Sequence, residues 1–251
     1  MNHEQRIQLA NRITEMFLQK YKNETLLGGI YGSTAKGTDI EYSDLEMFFV
    51  VENGSKAKSF RFAYESIPID VEVQNVADVE KDITKIELDW SLKMGKLFNL
   101  KIVHGDSAIL SKFREILEKV PKARFDAFLA KETPLCYEGL GKLKAVKVRE
   151  DTFEEMGLFV GGILGDFMLL VAIFNREFIN HSYFDALIES FSFKNLPKNY
   201  EKNARKLMKW NSLSIDETIK LADEFVHNFV DLLAENGIVA RVHTPVEEVD
   251  M

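Results

Sequence analysis

A short run near the start of the chain combines small residues with acids at a spacing that suits phosphate and metal chemistry. It reads GIYGSTAKGTDIEYSDLE over residues 29–46. Gly32 lets the backbone turn tightly, while the hydroxyl of Ser33 and the N–H groups of a following helix are groups that bind phosphate. Asp44 and Glu46 are two residues apart, so on a strand both side chains leave the same face. Two carboxylates on one face predict a site for Mg²⁺.

A third carboxylate is expected if this site holds two metal ions. Residues 69–74 read IDVEVQ, an alternation that predicts a strand with Asp70 and Glu72 on its polar face. Glu72 is the candidate that would join Asp44 and Glu46 around a metal pair about 3.5–4 Å apart, a separation suited to in-line displacement. Asp70 faces the same way and stays open as the alternative.

The elements that must position these acids follow from hydrophobic periodicity. Asn2 and Gln5 resemble a capping box that opens a helix ending near Tyr21. Strands are predicted near 26–31, 44–51, 68–75 and 97–103, and helices over 79–96, 107–120, 123–147, 152–177, 181–192, 199–209 and 215–236. The fold class expected is an α/β (α+β) catalytic domain with a small mixed sheet, residues 1–120, followed by an all-α helical bundle domain, residues 121–251.

Composition and hydropathy limit the setting in which the protein works. The net charge of −8 argues against tracking of long nucleic acids and is compatible with a cationic partner. Cys136 is the single cysteine, so no intramolecular disulfide can form, and the chain opens without a secretory signal pattern. Both features favour a reducing cytoplasm. The apolar run 157–174 carries Asp166 at its centre and is predicted to be a buried bundle helix, with no membrane contact.

Taken together, these motifs resemble the signature of the DNA polymerase beta-like nucleotidyltransferases, and most of all the kanamycin (aminoglycoside) nucleotidyltransferases. The signature residues are Gly32-Ser33 and Asp44-Leu45-Glu46, and the similarity covers nearly the whole chain. It implies an Mg²⁺-dependent enzyme that moves a nucleoside monophosphate from ATP or another NTP to a hydroxyl and releases pyrophosphate. Other matching stretches are Val71-Glu72-Val73, Asp89-Trp90-Ser91-Leu92, Gly95-Lys96-Leu97-Phe98, Phe125-Asp126-Ala127 and Gly141-Lys142.

The same resemblance gives roles to residues that spacing alone leaves undecided. Glu138 and Lys142 are four residues apart, which by itself indicates an ordinary surface pair on one helix face. The resemblance implies instead that Glu138 is the general base and that Lys142 binds the nucleotide, in an active site shared by two subunits of a homodimer. Lys36, just after the Gly-Ser turn, is a further candidate for contact with the triphosphate, with a solvated lysine as the alternative.

One departure from the family pattern concerns the acceptor. Pro134 and Leu135 stand where the family has two glutamates that surround the amino groups of the drug, and Glu132 would compensate in part. Proline has no N–H, so we expect Pro134 to kink or restart its helix. The expected acceptor is a small molecule, of which an aminoglycoside-like cation is one form, and the nucleotide chemistry is not affected.

Two other functions stay open from the sequence. A minimal-nucleotidyltransferase antitoxin-like protein would bind a nucleotide or adenylylate a protein hydroxyl, often with a helical partner protein. The helical half already fused to this chain argues against a separate partner. A catalytically inactive member kept for binding is the third option, and the complete set of acids argues against it.

Overall fold

The computed structural model describes residues 1–149, 153–181 and 183–242, and packing divides the chain into two compact units. Unit 1 comprises residues 1–86 and 92–120, and unit 2 comprises residues 87–91 together with those from 121 onward. The predicted domains 1–120 and 121–251 remain a prediction, because compactness alone does not establish that either part folds by itself.

Unit 1 is built on a five-stranded mixed sheet with the strand order β3-β4-β2-β1-β5. Strands β2 and β4 are parallel, and the other neighbouring pairs are antiparallel. The elements are α1 His3–Tyr21, β1 Thr25–Tyr31, α2 Gly32–Lys36, β2 Leu45–Val51, β3 Phe60–Tyr64, β4 Ile67–Asn75, α3 Val76–Thr84, α4 Trp90–Asn99, β5 Lys101–Gly105 and α5 Ala108–Glu118.

Helix α1 covers one face of this sheet. The predicted capping box is present, with the Asn2 side chain accepting from the N–H of Gln5 and the Gln5 side chain accepting from the N–H of Asn2. Ala10, Ile13 and Phe17 recur on one side of the helix and are buried against the sheet. The ring of Phe17 stacks on that of Phe49 in β2, with 4.3 Å between the two ring centroids. Because strand side chains alternate, the residues of β2 and β4 that do not enter this core point to the opposite face.

Three elements of unit 1 differ from the prediction. The strand predicted over 97–103 is β5, Lys101–Gly105, because residues 97–99 still belong to α4. The helix predicted over 79–96 is two helices, α3 and α4, separated by a turn in which the N–H of Trp90 donates to the carbonyl of Glu87. Trp90 belongs to unit 2, where its ring packs edge-on against that of Phe125 with 4.9 Å between the ring centroids. This packing requires a break between the two helices just before Trp90. Strand β3 was not predicted, because all five of its residues are exposed and its pattern is not that of a half-buried strand.

Unit 2 is helical throughout its described part. Helix α6 packs against α7 and α10, and α7 also packs against α8. The helices are α6 Lys122–Val146, α7 Met156–Asn175, α8 Tyr183–Ser190, α9 Tyr200–Leu207 and α10 Ile215–Glu235, with short 3₁₀ turns at Phe153–Glu155 and Trp210–Ser212. The predicted fold class, an α/β (α+β) part followed by an all-α bundle, is confirmed. Residues 152 and 182 of the predicted helices lie outside the described residues.

Helix α7 is the apolar segment that the sequence placed inside the bundle. Within the described ranges it is the one helix that is long and apolar enough to cross a membrane, a test that core helices also pass. Half of its most apolar stretch is buried, including Val160, Phe167 and Val171, and it packs against α6. These contacts are those of a core helix.

Helix α6 runs without a break through Pro134, so this residue does not restart the helix, and the alternative that it kinks the helix stays a prediction. A proline inside a helix removes one backbone hydrogen bond and crowds the preceding turn. On either side of it, Thr133 and Cys136 are buried. Packing on both sides of Pro134 therefore holds the helix in one piece.

Candidate active site

The predicted glycine turn and the predicted acids meet where β1 leads into α2. Gly32 has a φ of +67°, a left-handed conformation that glycine adopts without strain. A Cβ on Gly32 would lie 1.8 Å from Oε2 of Glu46, so only glycine leaves room for this carboxylate against the turn. Tyr31 pairs with Glu46 across β1 and β2, which fixes this approach. Ser33 follows in the first turn of α2 and is half-buried.

The sheet register collects the acids on the face opposite the apolar core. In the parallel β2–β4 pair, Glu46 lies beside Asp70 and Phe48 lies beside Glu72. Asp44 comes just before β2 and is exposed. The acid predicted as an alternative to Glu72 is therefore the direct neighbour of Glu46, and both acids of β4 share its face. We call Asp44, Glu46, Asp70 and Glu72 the acidic face.

Mutual repulsion acts within the acidic face. Burial, and then the charges of Asp44 and Asp70, raise the pKa of Glu46 to about 7, and the charge of Lys36 opposes this in part. Burial, followed by the charges of the acidic face, also raises the pKa of Tyr31, so its phenol lies among these carboxylates. The carboxylates of the acidic face therefore repel one another and the Tyr31 phenolate.

Asp70 and Glu72 are each paired with a cation. Nζ of Lys96 lies 2.6 Å from Oε1 of Glu72, and the guanidinium of Arg61 lies 2.8 Å from Oδ2 of Asp70. Reasoning from the sequence missed Lys96, Arg61 and Tyr31 as members of this site. Lys96 stood inside one of the stretches that carried the family resemblance, but nothing in its spacing pointed to Glu72.

The donors on the acidic face fit a divalent cation by their chemistry. Carboxylate oxygens are the ligands that Mg²⁺ prefers, and a divalent ion would relieve the repulsion that raises the pKa of Glu46. Among the described residues, no group of three Asp, Glu, His or Cys side chains is already arranged to hold a metal ion. The metal roles of Asp44, Glu46 and Glu72 thus remain predictions, and a metal ion would compete with Lys96 for Glu72.

The residues predicted to act from unit 2 form an ion pair on α6. Nζ of Lys142 lies 2.6 Å from Oε1 of Glu138, and the side chains are 55% and 72% exposed. The hydrogen bond from Lys142 lowers the pKa of Glu138. The spacing alone predicted this surface pair, and the roles of base and nucleotide ligand remain predictions.

The predicted acceptor region lies one to two turns earlier on α6. Leu135 is exposed and Pro134 is half-buried. Burial, and then the charge of Glu132, raise the pKa of Asp166 on α7. Burial, followed by the charges of these two acids, raises the pKa of the buried Cys136 to about 12, so its thiol stays protonated near neutral pH.

Comparison with known proteins agrees with this chemistry. No protein-family model matches the chain. Two curated relatives, from Bacillus sp and Staphylococcus aureus, are each 23% identical to it over 243 residues, which is 96% of this chain and 95% of each relative. The chain is a nucleotidyltransferase. More particularly, both relatives are named aminoglycoside nucleotidyltransferase (4'), so the resemblance predicted from the sequence is confirmed.

A solved nucleotidyltransferase-like protein from Exiguobacterium sibiricum is also similar in structure. It is 10% identical, with a TM-score of 0.48, over 90% of this chain and 75% of that chain. A likeness of this degree carries no argument about function.

Proposed function

We propose that the protein transfers a nucleoside monophosphate from ATP or another NTP to a hydroxyl of a small, cationic, aminoglycoside-like acceptor and releases pyrophosphate. The observation that carries this proposal is the contact of the Glu46 carboxylate with Gly32, beside Asp70 and Glu72 on one sheet face and within reach of the charge of Asp44. Similarity to nucleotidyltransferases over nearly the whole chain supports it.

In this proposal, Asp44 and Glu46 bind Mg²⁺ and Glu72 supplies the third carboxylate of a two-metal site. A bound Mg²⁺ would offset the charge of the triphosphate and of the acids. The groups proposed to position the phosphates are those of Gly32, Ser33, Lys36 and Lys142. The chain's own contribution is to hold these groups in place, since phosphoryl transfer depends mainly on alignment and charge.

The acceptor hydroxyl attacks the α-phosphorus of the NTP. A bond forms from that oxygen to phosphorus, the bond from phosphorus to the pyrophosphate oxygen breaks, and pyrophosphate leaves. We propose Glu138 as the base that takes the hydroxyl proton, which requires an ionised carboxylate, and the hydrogen bond from Lys142 favours this form. We further propose that the enzyme is a homodimer whose active site is shared between subunits.

A cationic acceptor is supported by charge on unit 2. The charge of Glu132 acts on Asp166, and an ammonium group near both would offset their repulsion. Pro134 and Leu135 supply no such charge, so the acceptor pocket differs from the family pattern in detail. The relatives are named for the 4' position, and we propose a hydroxyl of that kind as the acceptor. A cytoplasmic location suits an NTP-dependent enzyme with one free cysteine.

Mass spectrometry tests the proposal. The purified protein is incubated with ATP, Mg²⁺ and an aminoglycoside that carries a 4'-hydroxyl, and we expect an acceptor heavier by one nucleoside monophosphate together with pyrophosphate. An aminoglycoside without that hydroxyl and the variant Asp44→Ala should give no product. An adduct on a polypeptide of a cell lysate, without any on aminoglycosides, would contradict a small-molecule acceptor.

A further inference from the structure

Lys96 is a buried cation on the acidic face to which the proposed reaction assigns no role. Its side chain is 7% exposed, whereas that of Arg61, which pairs with Asp70, is 81% exposed. The Nζ atom lies 2.6 Å from Oε1 of Glu72 and 4.3 Å from the centroid of the Phe48 ring. Three elements of unit 1, α4, β4 and β2, therefore enclose one ammonium group.

The register of the sheet builds this enclosure. Phe48 and Glu72 are direct neighbours in the parallel β2–β4 pair, so a ring face and a carboxylate lie side by side below α4. An ammonium group between them gains a charged hydrogen bond and a cation–π contact. Burial of an ion pair is nevertheless weak evidence of a gain in stability, because both charges lose water. The pair therefore calls for a second explanation.

That explanation comes from competition for one carboxylate. The proposed function requires Glu72 as a metal ligand, and in the structure Lys96 already holds one of its oxygens. A divalent ion that binds both oxygens of Glu72 displaces the ammonium group, and one that binds the second oxygen brings a like charge beside it and weakens its hold. A displaced lysine has three donors and no acceptor, on a flexible arm of four carbons, and such a group binds phosphate well.

We propose that Lys96 is a resident cation of the active site, which holds Glu72 in the metal-free protein and contacts the triphosphate once a divalent ion takes Glu72. This inference rests on the proposed function and adds a residue to it. It predicts that metal and nucleotide bind cooperatively. Metal alone loosens Lys96 from Glu72 without compensation, whereas the nucleotide provides the released ammonium group with a new partner. Linkage then requires that metal strengthens nucleotide binding by the same factor.

Binding measurements with Mn²⁺ as the probe test the inference without relying on turnover. The fraction of free Mn²⁺ is read by electron paramagnetic resonance in wild type and in the variants Lys96→Met and Lys96→Gln. The glutamine variant serves if Lys96→Met does not fold. Lys101→Met removes the same charge from an exposed residue of the same unit and is the matched control. Without nucleotide, both Lys96 variants should bind Mn²⁺ about tenfold more tightly than wild type, since a competing charge is gone. The control should match wild type.

The second measurement uses an ATP analogue with a methylene group between the α- and β-phosphates, at saturating Mn²⁺. The Lys96 variants should bind it about tenfold less tightly than wild type, because a phosphate contact is lost. Mn²⁺ affinities within twofold of wild type would overturn the inference, and so would an equal gain in the control. Tighter Mn²⁺ binding with unchanged analogue binding would refute the triphosphate contact. A wild type that binds neither probe would instead refute the proposed function.

Discussion

Replacing Glu46 by glutamine should stabilise the metal-free protein while it abolishes transfer. The pKa of this carboxyl is raised from 4.5 to about 7, by burial and then by Asp44 and Asp70. Between these two pH values the folded protein keeps a proton that the unfolded chain has released, so stability falls as the pH rises through this window. Above about pH 7 the carboxylate of Glu46 is charged in the folded state, and its burial lowers the free energy of unfolding by the whole amount. A neutral glutamine of the same size does not lower the free energy of unfolding in this way.

The size of the effect follows from the shift in pKa. One unit corresponds to about 1.4 kcal/mol, so a rise from 4.5 to about 7 corresponds to about 3 kcal/mol. Partial exposure and salt reduce this figure to about 2 kcal/mol near pH 8. For a chain of this length, that difference raises the midpoint of thermal unfolding by roughly 4–8 °C. Near pH 4.5 the carboxyl of Glu46 is protonated in the folded state, and the difference should shrink towards zero.

The assay is thermal unfolding of wild type and Glu46→Gln, followed by circular dichroism with EDTA at about pH 5 and about pH 8. Glu72→Gln is the control, because removing that charge leaves the buried Lys96 without its carboxylate and should lower the midpoint at both pH values. Added Mg²⁺ should raise the midpoint of wild type and not that of Glu46→Gln. If Glu46→Gln is no more stable than wild type near pH 8, or is equally stabilised at both pH values, the electrostatic reasoning is refuted.

Three further predictions concern the turn, the thiol and the subunit arrangement. Gly32→Ala should lose the thermal stabilisation by Mg²⁺ and unfold more readily than Gly37→Ala, which has the same left-handed backbone but open space for a Cβ. Cys136 should not react with Ellman's reagent in the folded protein near pH 8 and should react after unfolding in urea, because burial raises the pKa of its thiol to about 12. Mixing Asp44→Ala with Glu138→Gln should restore transfer if the active site is shared, since one site of each mixed dimer then has both residues.

Each of these three has an outcome that contradicts it. Equal losses in Gly32→Ala and Gly37→Ala would mean that the carboxylate beside the turn plays no part. Fast reaction of the folded protein with Ellman's reagent would place Cys136 at the surface. Mixed variants that stay as inactive as either parent, in a preparation shown to exchange subunits, would refute the shared site.

Part of the candidate site could be predicted because it depends on local sequence. The two-residue spacing of Asp44 and Glu46 was enough to predict two neighbouring carboxylates, of which the structure places Glu46 in β2 and Asp44 just before it. Glycine at position 32 was enough to predict a tight turn. The remaining partners could not be predicted. Whether Asp70 or Glu72 lies beside Glu46 depends on the register of two strands that are more than twenty residues apart, and packing of their core faces decides that register.

Two differences from the predicted elements have the same origin. The helix predicted over 79–96 breaks because Trp90 packs into unit 2, a contact that no periodicity within the segment contains. Helix α6 continues through Pro134 because buried neighbours hold it, although proline disfavours a helix interior by about 3 kcal/mol. In both places tertiary packing outweighed local preference.

The sequence by itself determined most of the strands and helices, the capped first helix and the glycine turn, because spacing and backbone preference act over a few residues. Only the tertiary structure decided that Glu46 lies against Gly32 and beside Asp70, and that Lys96 holds Glu72. Those contacts join segments distant along the chain, and the shared apolar core of α1 and the sheet fixes the register of the strands that carry the acids.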